Sequence, residues 1–148
     1  MALSNAIIYK SHGNPESVLD LVERALPLRP LAGHVRIQWL LAPIHPSDFG
    51  LINGSYGRLK LLPAVAGREG VGQIVAMGAG VESLKIGQRI VYRGDVGTWQ
   101  TLADIPAELA WPISKKIPIE QAAMALINPP TAWRLLEDFV KLQPGDWV

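Results

Sequence analysis

The sequence contains no cysteine among its 148 residues. This absence excludes disulfide bonds, a thiolate nucleophile and any zinc site that requires cysteine ligands. Histidine is nearly as scarce, with His12, His34 and His45 only. His12 and His34 stand beside turn glycines and have no ligand partners at a recognisable spacing, so neither is expected to bind a metal ion.

The sequence also lacks an excess of either charge. Lysine and arginine number 14 against 13 acids, giving a net charge of +1, and no block of one sign interrupts the mixture. A nucleic-acid-binding surface would normally show clustered cations. The longest apolar runs are far shorter than the roughly 20 residues that span a bilayer, and the start, MALSNAIIYKSHGNP, has no signal-peptide core. We therefore expect a soluble cytoplasmic protein that binds neither nucleic acid nor membrane.

Short apolar stretches that lie between glycine and proline residues are typical of strands in a barrel or sandwich. They are AIIYKSHG, VLDLVERALP, HVRIQWLLAPI, EGVGQIVAMGAGV, IGQRIVYRG and WQTLADIPAELAWPI. In the third stretch, Val35, Ile37 and Trp39 alternate with Arg36 and Gln38, which places the apolar side chains on one face of a half-buried strand. With 49% apolar residues in 16.1 kDa, the chain is predicted to form one domain with one core.

The pattern changes to that of helices after Pro118. This proline opens the run PIEQAAMALI, so a helix is predicted to begin near Ile119. The Asn-Pro-Pro sequence at 128–130 is predicted to end it, and a second helix is predicted with Thr131 as its N-cap. The closing segment QPGDWV is predicted to form a turn and then the first two residues of a new strand.

Six motifs follow one another in an order that resembles a known family. They are HPSD, NGSYG, AGREGVGQIVAMG, GTWQT, NPPTAWRLL and LQPGDWV. Together they resemble the N-terminal catalytic domain of the medium-chain dehydrogenase/reductase superfamily, and within it the enoyl-thioester reductases of the mitochondrial type. The resemblance implies that residues 1–148 form a GroES-like, partly open β-barrel, an α+β fold that is mainly β with a few helices. It also implies that the C-terminal helices lead toward a Rossmann domain that these residues do not include.

The resemblance implies NADPH as the cofactor of the full-length enzyme. A dinucleotide-binding turn has the order G-x-G-x-x-G and opens a helix, and the glycines of GVGQIVAMG have neither property. Those glycines are interpreted as strand and bulge glycines, so tight binding of NADPH by this chain alone is not expected. By the resemblance, the cofactor-binding residues are Asn128, Thr131 and Ser47. Asn128 is equally suited to ending a helix before proline.

Many members of the superfamily hold a catalytic zinc ion with a cysteine, a histidine and often an acid. By the resemblance, these positions are His45, Arg68 and Glu69 in this sequence. Arginine has no usable lone pair and its charge repels Zn²⁺, so the expected enzyme is zinc-independent. His45 is interpreted as a loop residue with a local hydrogen bond, and Arg68 with Glu69 as a salt-bridged pair. Hydrogen-bond donors are then expected to polarise the substrate carbonyl.

Tyr56 in NGSYG is the catalytic residue that the resemblance implies. Hydride addition to an enoyl thioester builds negative charge on the thioester oxygen and leaves Cα in need of a proton. A phenol can stabilise that charge or donate that proton without being charged at pH 7. Without the resemblance, the residues favour a tyrosine that covers a hydrophobic edge with its hydroxyl in water. Asp48 is interpreted as the cap of a short helix.

The predicted function is therefore NADPH-dependent reduction of the C=C bond of 2-enoyl thioesters, with this chain as the substrate-side domain. A quinone oxidoreductase of the same superfamily is the alternative enzyme. A stand-alone GroES-like binding or assembly module is the alternative of another class. The expected partners are an enoyl thioester or a quinone, the Rossmann domain of the same protein, and a second copy in a homodimer.

Overall fold

The computed structural model describes residues 1–148 and consists mainly of β-strands. The strands are β1 (Ala2–Tyr9), β2 (Leu19–Leu26), β3 (His34–Leu41), β4 (Ala64–Val65), β5 (Val71–Met77), β6 (Arg89–Tyr92), β7 (Leu102–Pro106) and β8 (Ala110–Pro112). The helices are α1 (Pro15–Val18), α2 (Pro46–Asn53), α3 (Ile119–Ala123) and α4 (Asn128–Glu137). The mainly-β prediction is confirmed, and the strands form two open sheets rather than a closed barrel.

The two sheets meet along β1. The three-stranded sheet has the order β2-β1-β4 and the five-stranded sheet the order β7-β3-β5-β6-β8. Backbone hydrogen bonds from Ile7 to Trp99 and from Thr101 to Asn5 join β1 to the chain that precedes β7. Where the sequence predicts a single core, the buried apolar side chains form three clusters, the largest with ten residues in the five-stranded sheet.

Strand β3 shows the predicted alternation with one exception. Val35, Ile37 and Trp39 are buried, as predicted. Alternation places Arg36 on the exposed face, but only 4% of this residue is exposed. Asp104 is its register partner on β7, and its carboxylate accepts two hydrogen bonds from the guanidinium, at 2.6 and 2.8 Å. These bonds raise the pKa of Arg36 and compensate for the burial of its charge.

The C-terminal part confirms one predicted helix and corrects the start of the other. Helix α3 begins at Ile119, as predicted. Helix α4 begins at Asn128 instead of after the two prolines, and the backbone N–H of Thr131 donates to the carbonyl of Ile127 at 3.1 Å. Thr131 therefore lies inside the helix and is not its N-cap. The prolines fit the first turn because its N–H groups need no partner within the helix.

The last residues form no strand. Trp147 and Val148 are 98% and 91% exposed and pair with no other segment, so the strand predicted there is absent from the structure. None of the helices combines the length and apolar character needed to cross a membrane. The elements that matter for the site are α2, the chain between β4 and β5, the end of β6 and the α3–α4 connection.

Candidate active site

The end of helix α2 determines where the ring of Tyr56 lies. Gly54 ends the helix with a φ of 86°, a left-handed conformation that favours glycine. The backbone N–H groups of Ser55 and Tyr56 both donate to the carbonyl of Gly50, at 2.9 and 3.0 Å. The ring packs over Gly50, where a Cβ would lie 3.3 Å from ring carbon Cδ2. The helix end thus holds the phenol at the surface, with 40% of the residue exposed.

Arg68 is the partner of Tyr56. Its Nη1 donates a hydrogen bond to the phenol oxygen at 2.8 Å, and its guanidinium carbon lies 4.9 Å from the ring centroid. No ion pair joins Arg68 to Glu69, so the interpretation of these two residues as a salt-bridged pair is wrong. Neighbouring side chains leave a non-helical backbone in different directions, and here they reach different partners.

Glu69 joins three segments of the chain. It is 2% exposed, its Oε1 lies 2.6 Å from Nε2 of His45, and its Oε2 accepts the backbone N–H of Leu126 at 3.2 Å. A carboxylate only accepts hydrogen bonds, so the imidazole donates through Nε2. The predicted local hydrogen bond of His45 is present, because its backbone N–H donates to Asp48. Its imidazole, however, reaches Glu69, 24 residues later in the chain, which the sequence did not predict. The contact ties the start of α2 and the α3–α4 connection to β5.

Asp48 lies in the first turn of α2, three residues after His45. Its Oδ2 accepts the backbone N–H of His45 at 2.7 Å, which is the geometry expected of a residue that caps a short helix. Only 1% of the residue is exposed and its Oδ1 has no hydrogen-bond partner. Burial raises the pKa of Asp48 above its ordinary value, and the hydrogen bond from His45 opposes that rise.

Tyr56 and Arg68 line a cavity with a volume of about 490 Å³. Part of its wall is apolar and includes Leu51, Leu59 and Ile127. Small-molecule sites commonly have volumes of about 300–1,000 Å³, with apolar walls and a few polar groups. The cavity therefore has the size and the mixture of side chains expected of a substrate site.

The charged groups of the cavity wall leave a positive excess. They are Arg58, Arg68, Arg93, Glu69 and Asp95. Both acids are already bound to cationic or donor groups, Asp95 to Lys60 at 2.7 Å and Glu69 to His45. A ligand oxygen that carries negative charge would find hydrogen-bond donors and cations in this wall.

Sequence reasoning missed the contribution of β6 and the turn after it. Tyr92 is a second phenol in the cavity wall, buried to the extent that its pKa is raised. Arg93 also lines the cavity, and its guanidinium carbon lies 3.8 Å from the centroid of the Trp111 ring. The available signal was Gly94, where any Cβ would overlap the hydroxyl of Tyr92. Glycine is commonly found where other atoms approach the backbone this closely.

The three residues proposed for cofactor binding do not line this cavity. Ser47 lies half-buried in the first turn of α2, whereas Asn128 and Thr131 are exposed on α4. The amide nitrogen of Asn128 donates a hydrogen bond to the sulfur of Met124, at 3.7 Å. Their role in binding NADPH stays a prediction. No group of three or more His, Cys, Asp or Glu side chains is arranged to hold a metal ion.

Comparison with known proteins agrees with this architecture. Residues 31–115 match the family described as the alcohol dehydrogenase GroES-like domain. This chain belongs to that family, within the medium-chain dehydrogenase/reductase superfamily.

Three similar proteins indicate the range of related functions. A mitochondrial enoyl-[acyl-carrier-protein] reductase of Mus musculus is 45% identical over 97% of this chain and 38% of its own length. The structure of the heterodimeric mitochondrial 2-enoyl thioester reductase of Candida tropicalis matches with a TM-score of 0.89 and 28% identity, over 99% of this chain and 46% of that one. Escherichia coli quinone oxidoreductase complexed with NADPH matches with a TM-score of 0.75 and 27% identity, over 95% and 42%. The chain thus spans about two fifths of the length of the curated relatives that it matches.

Proposed function

We propose that this chain is the substrate-side domain of a zinc-independent, NADPH-dependent 2-enoyl thioester reductase. The observation that carries the proposal is the phenol of Tyr56, which lies in the wall of a cationic cavity with Arg68 bound to its oxygen. The similarity to reductases named for enoyl substrates supports the same reaction. The nucleotide-binding half then belongs to a Rossmann domain of the same protein.

The chemistry assigned to Tyr56 follows from the charge that develops in the substrate. As Cβ gains a hydride, the electron pair of the C=C bond moves toward the thioester carbonyl and its oxygen becomes negative. The Tyr56 hydroxyl donates to that oxygen or delivers its proton to Cα, and water returns the proton to the phenolate. The arginines of the cavity favour the same negative charge electrostatically, because the apolar wall limits screening by water.

NADPH, bound in the complete enzyme, supplies the hydride. Asn128 and Thr131 are suited to contact it because they are exposed and three residues apart, hence on one face of α4. Ser47 offers a third hydroxyl from the first turn of α2. These groups are hydrogen-bond donors and acceptors for a ribose or an amide, whereas a glycine-rich phosphate turn is not among residues 1–148.

Zinc independence rests on the donor set at the three positions related to zinc ligands. Arg68 cannot coordinate a cation, and His45 and Glu69 are hydrogen-bonded to each other at 2.6 Å. A metal ion would have to break that bond and lie near a fixed positive charge. Hydrogen-bond donors are therefore the proposed source of carbonyl polarisation.

A quinone oxidoreductase is the second candidate, because the E. coli enzyme shares this fold and binds NADPH. Quinone reduction needs no proton at a carbon, so it places less demand on a positioned phenol. The two candidates therefore differ in how strongly they depend on Tyr56.

A chimeric enzyme tests the proposal, with residues 1–148 replacing the matching segment of the mouse relative. We expect it to oxidise NADPH when given a crotonyl or longer enoyl thioester. Tyr56→Phe should lower kcat by about 100-fold or more while KM changes little, since the lost interaction is strongest in the transition state. Tyr9→Phe is the matched control, because Tyr9 is buried away from the cavity and its hydroxyl has no partner.

The outcomes separate the two candidates. Unchanged kcat in a correctly folded Tyr56→Phe enzyme would refute the role of the phenol. Turnover of quinones but not of enoyl thioesters would favour the quinone oxidoreductase, and no turnover at all would favour a binding or assembly module.

Assembly and location complete the proposal. The heterodimer formed by the Candida tropicalis reductase supports a dimer of the complete enzyme, which light scattering would measure.

A cytoplasmic location stays a prediction, and the mitochondrial names of several relatives point to a different compartment. Imaging of the tagged full-length protein would decide between them.

A further inference from the structure

The contact between Arg68 and Tyr56 joins two cavity-lining residues that come from separate segments. Arg68 is half-buried, whereas 40% of Tyr56 is exposed. The hydrogen bond from Nη1 to the phenol oxygen measures 2.8 Å, and the guanidinium carbon lies 4.9 Å from the ring centroid. The ring is thus held by Gly50 of helix α2 at one side and by the arginine at its hydroxyl.

The backbone that carries Arg68 is fixed on both sides. Gly67 has a φ of 85°, and a Cβ there would overlap Thr98 and Trp99. A Cβ at Gly70 would lie 2.8 Å from the carbonyl oxygen of Leu41. Between these tight approaches, Glu69 is buried and bound at both of its carboxylate oxygens. The Arg68 side chain therefore extends toward the phenol from a backbone segment whose position is fixed by its neighbours.

The direction of this hydrogen bond matters for the reaction. A phenol has one O–H donor and two acceptor lone pairs, whereas a guanidinium can only donate. Arg68 therefore occupies a lone pair of the Tyr56 oxygen and leaves the O–H group available to a ligand in the cavity. A carboxylate or carbonyl at this position would instead accept the phenol proton and compete with the substrate for it.

We propose that Arg68 is a positioning residue that holds the Tyr56 phenol with its O–H directed to the substrate. This inference rests on the proposed function, since it concerns the same phenol. The planar guanidinium suits the task better than an ammonium group because its N–H directions are fixed.

Kinetics of the chimeric enzyme test the effect on turnover. We expect Arg68→Met to lower kcat by about 10-fold to 100-fold with little change in KM, as for loss of one hydrogen bond to a charged group. Arg68→Lys should restore part of that loss, because the donor and the charge remain. Arg29→Met is the matched control, since Arg29 is exposed and lies away from the cavity. Equal kcat for Arg68→Met and the parent would overturn the proposal.

A spectroscopic measurement on the 148-residue chain tests the contact without any turnover. The chain has three tyrosines, so 3-fluorotyrosine labelling gives three ¹⁹F resonances, and Tyr56→Phe identifies one of them. Arg68→Met should shift the Tyr56 resonance and leave those of Tyr9 and Tyr92 in place. A Tyr56 resonance that does not respond would overturn the proposal.

The kinetic and ¹⁹F measurements contradict different proposals when their results are negative. If the chimeric enzyme reduces no enoyl thioester with any residue at position 68, the proposed function fails. The ¹⁹F spectra then still decide whether Arg68 holds the phenol. A melting curve of each variant excludes loss of the fold as the cause of either result.

Discussion

Replacing Glu69 measures how much one buried carboxylate contributes to the fold around the cavity. Glu69→Met keeps the length of the side chain but leaves the Nε2–H of His45 and the N–H of Leu126 without a partner. Glu69→Gln keeps one acceptor, and the imidazole can adopt its other tautomer to accept from the new amide group. The two substitutions therefore remove different numbers of hydrogen bonds from the same place.

The magnitudes follow from the number of partly buried donors left without a partner. A fully buried donor left without a partner costs about 1–3 kcal/mol. The two donors here are only partly buried, so Glu69→Met should lower the free energy of unfolding by about 2 kcal/mol, the lower end for two donors. Glu69→Gln exchanges a charge-assisted bond for a neutral one and should cost about 1 kcal/mol. At about 2–4 °C per kcal/mol for a chain of this size, the first variant should lose at least about 4 °C in Tm.

Urea unfolding of the chain gives both values, with Glu82→Met as the matched control. Glu82 is exposed, so its replacement should change stability by less than about 0.5 kcal/mol. A double-mutant cycle between His45→Ala and Glu69→Met should give a coupling energy of about 0.5–3 kcal/mol, and one between Arg68→Met and Glu69→Met a value near zero. The reverse pattern would refute the assignment of partners and restore the Arg68–Glu69 pair.

Three further predictions concern the cofactor, the metal and pH. Calorimetry of the 148-residue chain with NADPH should show no tight binding, and micromolar affinity at a stoichiometry near one would contradict this. Elemental analysis of protein purified without chelator should find no transition metal, whereas stoichiometric zinc would overturn the zinc-independent mechanism. Burial raises the pKa of Asp48 above 3.8, so the folded state binds its proton more tightly than the unfolded state. Its contribution to stability is therefore complete below about pH 4 and is lost as pH rises through the raised pKa. Asp48→Asn should flatten that decline in urea midpoints, and an unchanged slope would contradict the assignment.

Local patterns predicted the secondary structure where one physical rule dominated. The alternation of Val35, Ile37 and Trp39 placed β3 correctly because a strand with one buried face requires it. The start of α3 was predicted from a proline followed by helix formers. The start of α4 was predicted incorrectly, because a proline can end one helix and can also occupy the first turn of the next. Sequence alone does not say which of the two effects prevails.

Partners across the fold were beyond what local patterns can show. Arg36 is buried because strand register places Asp104 opposite it, 68 residues later in the chain. The NGSYG motif was enough to predict Tyr56 as a catalytic residue. Its contact with Arg68, however, depends on how the end of α2 packs against the chain before β5. Adjacency in sequence was misleading for Arg68 and Glu69, since the two side chains diverge.

That divergence predicts unequal effects of changing two neighbouring residues. Glu69 is buried and binds two donors, whereas Arg68 is half-buried and reaches an exposed phenol. Glu69→Met should therefore lower the free energy of unfolding and, because Arg68 extends from the same short backbone segment, also lower kcat of the chimeric enzyme. Arg68→Met should lower kcat and leave the free energy of unfolding within about 1 kcal/mol of the parent, as for a partly exposed hydrogen bond. Urea midpoints and kcat for both variants measure this difference. Equal losses of stability at the two positions would mean that Arg68 supports the fold itself rather than the orientation of the phenol.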